Sequence, residues 1–228
     1  MPESLKQKAA LAAIEHLSPD TVLGVGTGST VNQFIDELAS HKHWFEAVVA
    51  SSDATEARLK EHGFPVVDLN TVSVDVYVDG TDEIDGAFHL VKGGGGALTR
   101  EKIIASVAKQ FIVIADVSKK VDYLGQRSPV PIEVLPMARS AVARALVKLG
   151  GDPVYREGFI SDNGNVILDV YNLKLQDPIT IDHQLNQVPG VVAHGLFIHQ
   201  ACDIALIASE QGIETLNRTQ LSFDFIDS

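Results

Sequence analysis

Two hydrophobic periods alternate along most of the chain. Val31, Phe34, Ile35 and Leu38 recur at i, i+3, i+4 and i+7, which predicts a helix to about residue 39 with one apolar face. Leu5, Ala9, Ala12 or Ala13, and Leu17 give residues 3–17 a similar stripe, ended by Ser18-Pro19-Asp20. Short apolar runs at 21–25, 47–51, 66–69, 75–79 and 111–115 read as strands. Further helices are expected from a Ser52 or Asp53 cap to Gly63, and over 98–108. Strands alternating with helices predict a mostly parallel sheet with helices on both faces.

The pattern changes near Gly125. PIEV is a short strand within 129–134, and a helix over 136–149 stops at Gly150-Gly151. Strands at 153–160 and 166–170 flank the hairpin signal SDNGN. A helix at 178–187 and a strand at 191–198 complete the order β-α-β-β-α-β, that of a ferredoxin-like module. A strand at 203–208 and a last helix are placed back in the first sheet. The expected fold is therefore α/β, a Rossmann-like, mostly parallel sheet flanked by helices, with an inserted α+β ferredoxin-like domain. Its expected division is 1–127 plus 203–228, and 128–202. The tail LSFDFIDS gives no functional signal.

Composition narrows the partners. The 228 residues are 45% hydrophobic and 21% charged, enough to bury a sizeable core. A formal net charge of −12 argues against a nucleic-acid partner, which needs a basic face. A local pocket for a small anion is compatible with it. The single cysteine, Cys202, precedes the apolar run 204–208 and reads as a small buried hydrophobe. One cysteine forms no internal disulfide, which fits a reducing compartment. The N-terminal stretch mixes acid and lysine and lacks the apolar centre of a signal peptide. No apolar run approaches the length of a membrane span. The expectation is a soluble, cytoplasmic protein without a membrane or nucleic-acid partner.

Chemistry concentrates in residues 79–101, DGTDEIDGAFHLVKGGGGALTRE. Asp79 ends a strand, and Asp82, Glu83 and Asp85 follow in a turn. Lys92 and Gly93 to Gly96 come next, and Glu101 lies in the first turn of a helix. A glycine run can direct backbone N–H groups at an anion, and carboxylates beside it suit proton transfer on an anionic substrate. A second loop, GVGTGST at 24–30, follows the first strand. It lacks the third glycine of the dinucleotide fingerprint and the lysine of a Walker loop. Gly26, Thr27, Gly28, Ser29 and Thr30 at a helix start suit a single phosphate. GVGTGST, SSDAT at 51–55, the DxxD at 79–82 and ADVSKK at 115–120 each follow a strand. In a parallel sheet that edge is where ligands bind.

GVGTGST, SSDAT, YVDGTDEID, KGGGGALTREKI, ADVSKK and PIEV, in this order, closely resemble the ribose-5-phosphate isomerase A family. The resemblance runs from the first helix to about Ser209 and includes PMARSAVARALVKLGG and DNGNVILDV. One departure is Gly96, where a small residue such as alanine is expected. The resemblance implies an aldose–ketose isomerase that converts ribose 5-phosphate to ribulose 5-phosphate and back through an enediol(ate). No metal and no other cofactor are implied. Glu101 would be the base that moves a proton from C2 to C1. Lys92 with the N–H groups of Gly93, Gly94 and Gly95 would stabilise the enediolate oxygen. Asp79 and Asp82 would bind the sugar hydroxyls, with Asp79 the better candidate for ring opening. Gly80 and Thr81 complete that contact.

Thr27, Gly28, Ser29 and Thr30 would hold the phosphate, and Lys119 would add a cationic contact or be a surface lysine. Lys6 is read first as a surface lysine, with the phosphate as the alternative. Glu83 and Asp85 are either part of the site or structural, and Arg100 is either an ion-pair partner or solvated. His194 and His199, five apart near a strand, are expected on opposite faces and not as metal ligands. The family implies a homodimer or homotetramer. Two other functions compete: a phosphosugar sensor without turnover, and a CoA-transferase-like enzyme with a glutamate nucleophile. The sensor would carry a helix-turn-helix, and the transferase a site for a larger cofactor; neither is legible in the sequence.

Overall fold

The computed structural model describes residues 4–218. The chain begins with α1 (Leu5–Ile14), β1 (Thr21–Val25), α2 (Ser29–Leu38), β2 (Phe45–Ala50) and α3 (Asp53–Glu61). Next come β3 (Val76–Asp79), β4 (Glu83–Ile84), β5 (Leu90–Val91), α4 (Leu98–Val107) and β6 (Gln110–Asp116). Then follow β7 (Val130–Val134), α5 (Arg139–Lys148), β8 (Asp152–Tyr155), β9 (Val166–Tyr171) and α6 (Pro178–Asn186). The last elements are β10 (Val191–His194), β11 (Leu196–Phe197), β12 (Ile204–Ser209) and β13 (Gly212–Asn217). Among the described residues no helix is long and apolar enough to cross a membrane.

Contacts divide the chain into two compact units. One holds residues up to 80, 103–119 and from 202 onward; the other holds Thr81–Lys102 and Lys120–Ala201. This differs from the expected division at 127/128 and 202/203. Residues 81–102 and 120–127 group with the second unit because β4 and β5 join β11 in a three-stranded antiparallel sheet, order β11-β5-β4. Strands of two residues carry no readable period.

The first unit contains the sheet β13-β12-β6-β3-β1-β2. All its pairings are parallel except β12 with β13. Its inner strands are almost continuously apolar because helices cover both faces. Val31, Phe34, Ile35 and Leu38 of α2 are fully buried in this core, the stripe the spacing predicts. Burying side chains of this size contributes about 1.5–3 kcal/mol each. α1 buries Ala9, Ala10 and Ala13, whose small side chains let the helix approach closely. Ser52 caps α3 by accepting from Thr55 N–H at 3.1 Å. Going outward from β1, the chain runs to β2 on one side and to β3 and β6 on the other. The sheet order thus reverses at β1/β3, the position at which such sheets bind ligands.

This unit departs from the expectation in two places. Residues 66–69 form no strand; a single bridge joins Val66 to Val48, and a 3₁₀ turn follows at Leu69–Thr71. Asp68 caps that turn by accepting from Asn70 N–H at 2.7 Å, which draws the chain out of the sheet. β13, an antiparallel edge strand fully paired with β12, is not among the expected elements. Residues 219–228, including LSFDFIDS, lie outside the described residues.

The second unit has the antiparallel sheet β10-β7-β9-β8 with α5 and α6, the β-α-β-β-α-β order. Its core includes Ile132, Val134, Val142, Leu146, Leu168 and Leu185. The strand expected at 153–160 ends at Tyr155, and the one expected at 191–198 breaks at Gly195.

Candidate active site

In the first unit the candidate residues gather at the β1 and β3 ends. Asp79 is fully buried there. Its Oδ1 accepts from Thr27 N–H at 3.1 Å and from Gly80 N–H at 2.7 Å, and the Tyr77 hydroxyl donates to Oδ2. Gly26 makes this possible. A Cβ at 26 would lie 1.9 Å from Cγ and Oδ1 of Asp79. The first glycine-loop requirement is therefore close approach of backbone to a carboxylate.

The Thr27 hydroxyl faces inward, not to the loop opening. It lies 2.7 Å from Ser51 Oγ, 2.8 Å from Ser52 Oγ and 3.2 Å from Thr55 Oγ1. Thr55 in turn donates to the Gly26 carbonyl at 2.7 Å. SSDAT thus fastens the loop from below. Gly28, at φ 129°, precedes α2, and Gly28 and Ser29 are exposed while Thr30 is half-buried. Lys6 on α1 donates from Nζ to Ser29 Oγ at 2.8 Å, which favours the alternative reading of that lysine. Lys119 closes the 3₁₀ turn Val117–Lys119 directly after β6 and is half-buried.

In the second unit Lys92 follows β5 and Glu101 sits in the first turn of α4. Lys92 Nζ lies 3.3 Å from Glu101 Oε2, and the two residues are 2% and 3% exposed. With water excluded, their attraction is far stronger than on a surface. A helix N-terminus also favours the carboxylate. The Lys92 N–H donates to the Gly195 carbonyl at 2.8 Å, and Gly195 N–H to the Pro131 carbonyl at 2.7 Å. A Cβ at 195 would lie 2.2 Å from the Lys92 carbonyl oxygen. The strand break at Gly195 is therefore what seats Lys92. Its ammonium also lies 5.5 Å from the Phe197 ring centroid.

Asp82, half-buried, accepts on Oδ2 from Gly94 N–H at 2.8 Å. Gly93 is buried, whereas Gly94 and Gly95 are exposed. The Thr81 hydroxyl lies 2.6 Å from the Glu83 carbonyl and 2.9 Å from that of Val91, so it stitches the turn. A buried base–cation pair beside a glycine run with exposed amides can remove a proton from carbon and stabilise the resulting oxyanion.

The open alternatives resolve toward structure. Glu83 is fully buried and accepts from Gly125 N–H at 2.6 Å, Arg127 N–H at 2.6 Å and Ser128 N–H at 2.7 Å. Asp85 Oδ1 closes its own turn by accepting from Ala87 N–H and His89 N–H, each at 2.9 Å. Arg100 donates to Asn163 Oδ1 at 3.0 Å and to the Asp162 carbonyl at 2.9 Å. Sequence reasoning missed two anchors. Glu133, in PIEV, accepts from the Thr99 hydroxyl, from Ser161 Oγ at 2.7 Å and from Asn165 Nδ2 at 2.8 Å. An acid in an apolar strand was its signal. Arg156 is the other, and its sequence context carried none.

His194 and His199 do not face opposite ways. Each has Nε2 3.6 Å from a carboxylate oxygen of Asp182, because the strand breaks between them. Burial, then the Lys102 ammonium, pulls His194 down to about 2, so it is neutral and makes no ion pair. Lys102 lies 3.3 Å from His194 Nδ1 and donates to the Leu196 carbonyl at 2.8 Å. Burial pulls this ammonium down to about 8, against the opposing pull of Asp182.

The family model for ribose 5-phosphate isomerase A (phosphoriboisomerase A) matches residues 47–212. The chain belongs to that family. A ribose 5-phosphate isomerase A structure from Neisseria gonorrhoeae is 38% identical, with a TM-score of 0.92 over 96% of this chain and 98% of that one. One from Methanocaldococcus jannaschii is 37% identical, with a TM-score of 0.89 over 93% and 98%. A D-ribose-5-phosphate isomerase in complex with phospho-erythronic acid is 37% identical, with a TM-score of 0.90 over 94% and 98%. The α/β fold class read from the sequence is that of the family.

Proposed function

We infer that this chain is an aldose–ketose isomerase. It interconverts D-ribose 5-phosphate and D-ribulose 5-phosphate in the non-oxidative branch of the pentose phosphate pathway. The observation that carries the reaction is the buried Lys92–Glu101 pair at 3.3 Å, beside the glycine run. Glu101 takes the proton from C2 of the open-chain aldose and returns it to C1. Electron density moves from the C2–H bond to the C1 oxygen, and an enediolate forms. Lys92 and the amides of Gly93 and Gly95 stabilise that oxygen, the Gly94 N–H being given to Asp82 instead. A proton passes from O2 to O1 as the ketose forms. Asp79 and Asp82 assist ring opening and this transfer, with Gly80 and Thr81 shaping their turn.

Gly28, Ser29 and Thr30 hold the phosphate, with Thr27 fixing the loop through its hydroxyl and through its N–H bond to Asp79. Lys6 and Lys119 supply positive charge. The reaction needs no metal or other cofactor in this reading. We also propose a cytoplasmic location and a homodimer or homotetramer. The second unit exposes Met137, Val147 and Val154, apolar area suited to self-association. Light scattering checks the mass.

The deciding assay mixes chelator-treated protein with ribose 5-phosphate in deuterated water, alongside Glu101→Gln. Ribulose 5-phosphate carrying deuterium at C1, nearly lost in the variant, is the expected result. Tight binding without turnover by the native chain would establish a sensor instead.

A further inference from the structure

The glycine run has no side chains to hold it, yet two of its peptide units are clamped from one direction. We propose that Arg156 is a positioning residue for oxyanion stabilisation, orienting the Gly94–Gly95 peptide unit so that the Gly95 N–H serves the reacting oxygen, while the Gly94 N–H holds Asp82. This rests on the isomerase reading above.

Arg156 follows β8. Its Nη1 donates to the Gly94 carbonyl at 3.2 Å, and Nη1 and Nη2 reach the Gly93 carbonyl at 3.5 and 3.4 Å. The other side of the fork meets Asp169, Nε to Oδ2 at 2.8 Å and Nη2 to Oδ1 at 2.5 Å. Asp169 lies on β9, which pairs with β7 on one side and β8 on the other, so the anchor is the centre of the sheet. The guanidinium carbon also sits 5.3 Å from the Phe159 ring centroid, and that ring covers Gly96.

The geometry fixes direction. A trans peptide unit sets its C=O and the next N–H antiparallel. The Gly93 carbonyl is held first by the turn, accepting from Gly96 N–H at 2.9 Å, and Arg156 adds to it; the Gly94 N–H of the same unit points away and meets Asp82 Oδ2 at 2.8 Å. Holding the Gly94 carbonyl turns the exposed Gly95 N–H away in the same manner. Glycine peptides rotate easily, and a flipped unit would present a carbonyl where an anion must form. A cation on the carbonyl side also polarises each unit and makes its N–H a stronger donor. Lysine is a poor replacement, because it cannot grip a carboxylate with two parallel bonds while reaching two carbonyls.

The test compares Arg156→Met, Arg156→Lys and Asp169→Asn with wild type. It measures kcat and KM for ribose 5-phosphate, and inhibition by phospho-erythronic acid and by inorganic phosphate. The acid's carboxylate imitates the anionic end of the enediolate. Arg156→Met should lower kcat about tenfold to a hundredfold, with KM within about threefold, as for a displaced oxyanion donor. Phospho-erythronic acid should weaken by a similar factor, and inorganic phosphate should not. Arg156→Lys should fall between, and Asp169→Asn should share the loss non-additively with Arg156→Met. Unchanged kcat in folded Arg156→Met would overturn the proposal. If that variant does not fold, unchanged kcat in both Arg156→Lys and Asp169→Asn overturns it. A wild type that fails to turn over ribose 5-phosphate would instead overturn the isomerase reading.

Discussion

Gly26→Ala should be among the most damaging single-methyl additions in the first unit. The new Cβ would stand 1.9 Å from Cγ and Oδ1 of Asp79 and 2.5 Å from its Cβ. Ordinary contact begins near 3.4 Å, so the carboxylate must retreat by roughly 1.5 Å. That displacement breaks its bonds from Thr27 N–H, Gly80 N–H and the Tyr77 hydroxyl. Leaving a buried carboxylate short of its donors costs about 3–5 kcal/mol. Urea unfolding of both proteins reads this as a lower midpoint at unchanged slope. Gly86→Ala is the control, since its Cβ meets nothing within 4 Å and its backbone is not left-handed. It should stay within about 0.5 kcal/mol of wild type. Gly26→Ala matching that control would refute the close approach, and with it the account of why the loop opens on glycine.

Three further outcomes are expected. Lys102 titrates at about 8 in the fold and near 10.5 when unfolded, so the unfolded chain binds more protons between those values and stability rises with pH there. The burial penalty is fully present below about pH 8. The stability of wild type relative to Lys102→Met should therefore increase by about 3 kcal/mol from pH 7.5 to 10.5 in paired urea titrations, and a flat difference would contradict the assignment. Glu83→Ala strips the acceptor from three backbone N–H groups, so melting should show a loss of about 3–5 kcal/mol. The kcat of its folded fraction should stay near wild type; a large fall would return Glu83 to the site. Lys6→Ala should raise KM for ribose 5-phosphate about tenfold with kcat nearly unchanged, the pattern of lost phosphate binding.

Much of the fold was legible because its signals are local. The α2 stripe, the apolar runs of β1, β3 and β6, and the glycine loops all announce themselves within ten residues. β4, β5 and β11 did not, since two residues show no period. β13 was not legible because its pairing with β12, not its own pattern, makes it a strand. The candidate residues were legible as types, but their partners were not. Thr27 reads as a phosphate hydroxyl until Ser51, Ser52 and Thr55 are folded beneath it. Lys6 reads as a surface lysine until α1 brings it to Ser29. His194 and His199 were misplaced because alternation assumes an unbroken strand, and Gly195 breaks it.

The Phe159 ring over Gly96 restricts how this sequence can drift. Gly96 has φ 84°, and a Cβ there would stand 2.2 Å from the ring's Cζ. The alanine that the family resemblance leads one to expect at 96 is thus closed to a single mutational step. Loss of the ring at 159 clears the space but not the backbone, since φ 84° strains any residue with a Cβ, and it also removes the packing on Leu98, Ile167 and Ala193. Glycine at 96 is thus held twice over, by the ring above it and by its own backbone angle, so relaxing either constraint alone leaves the other in force.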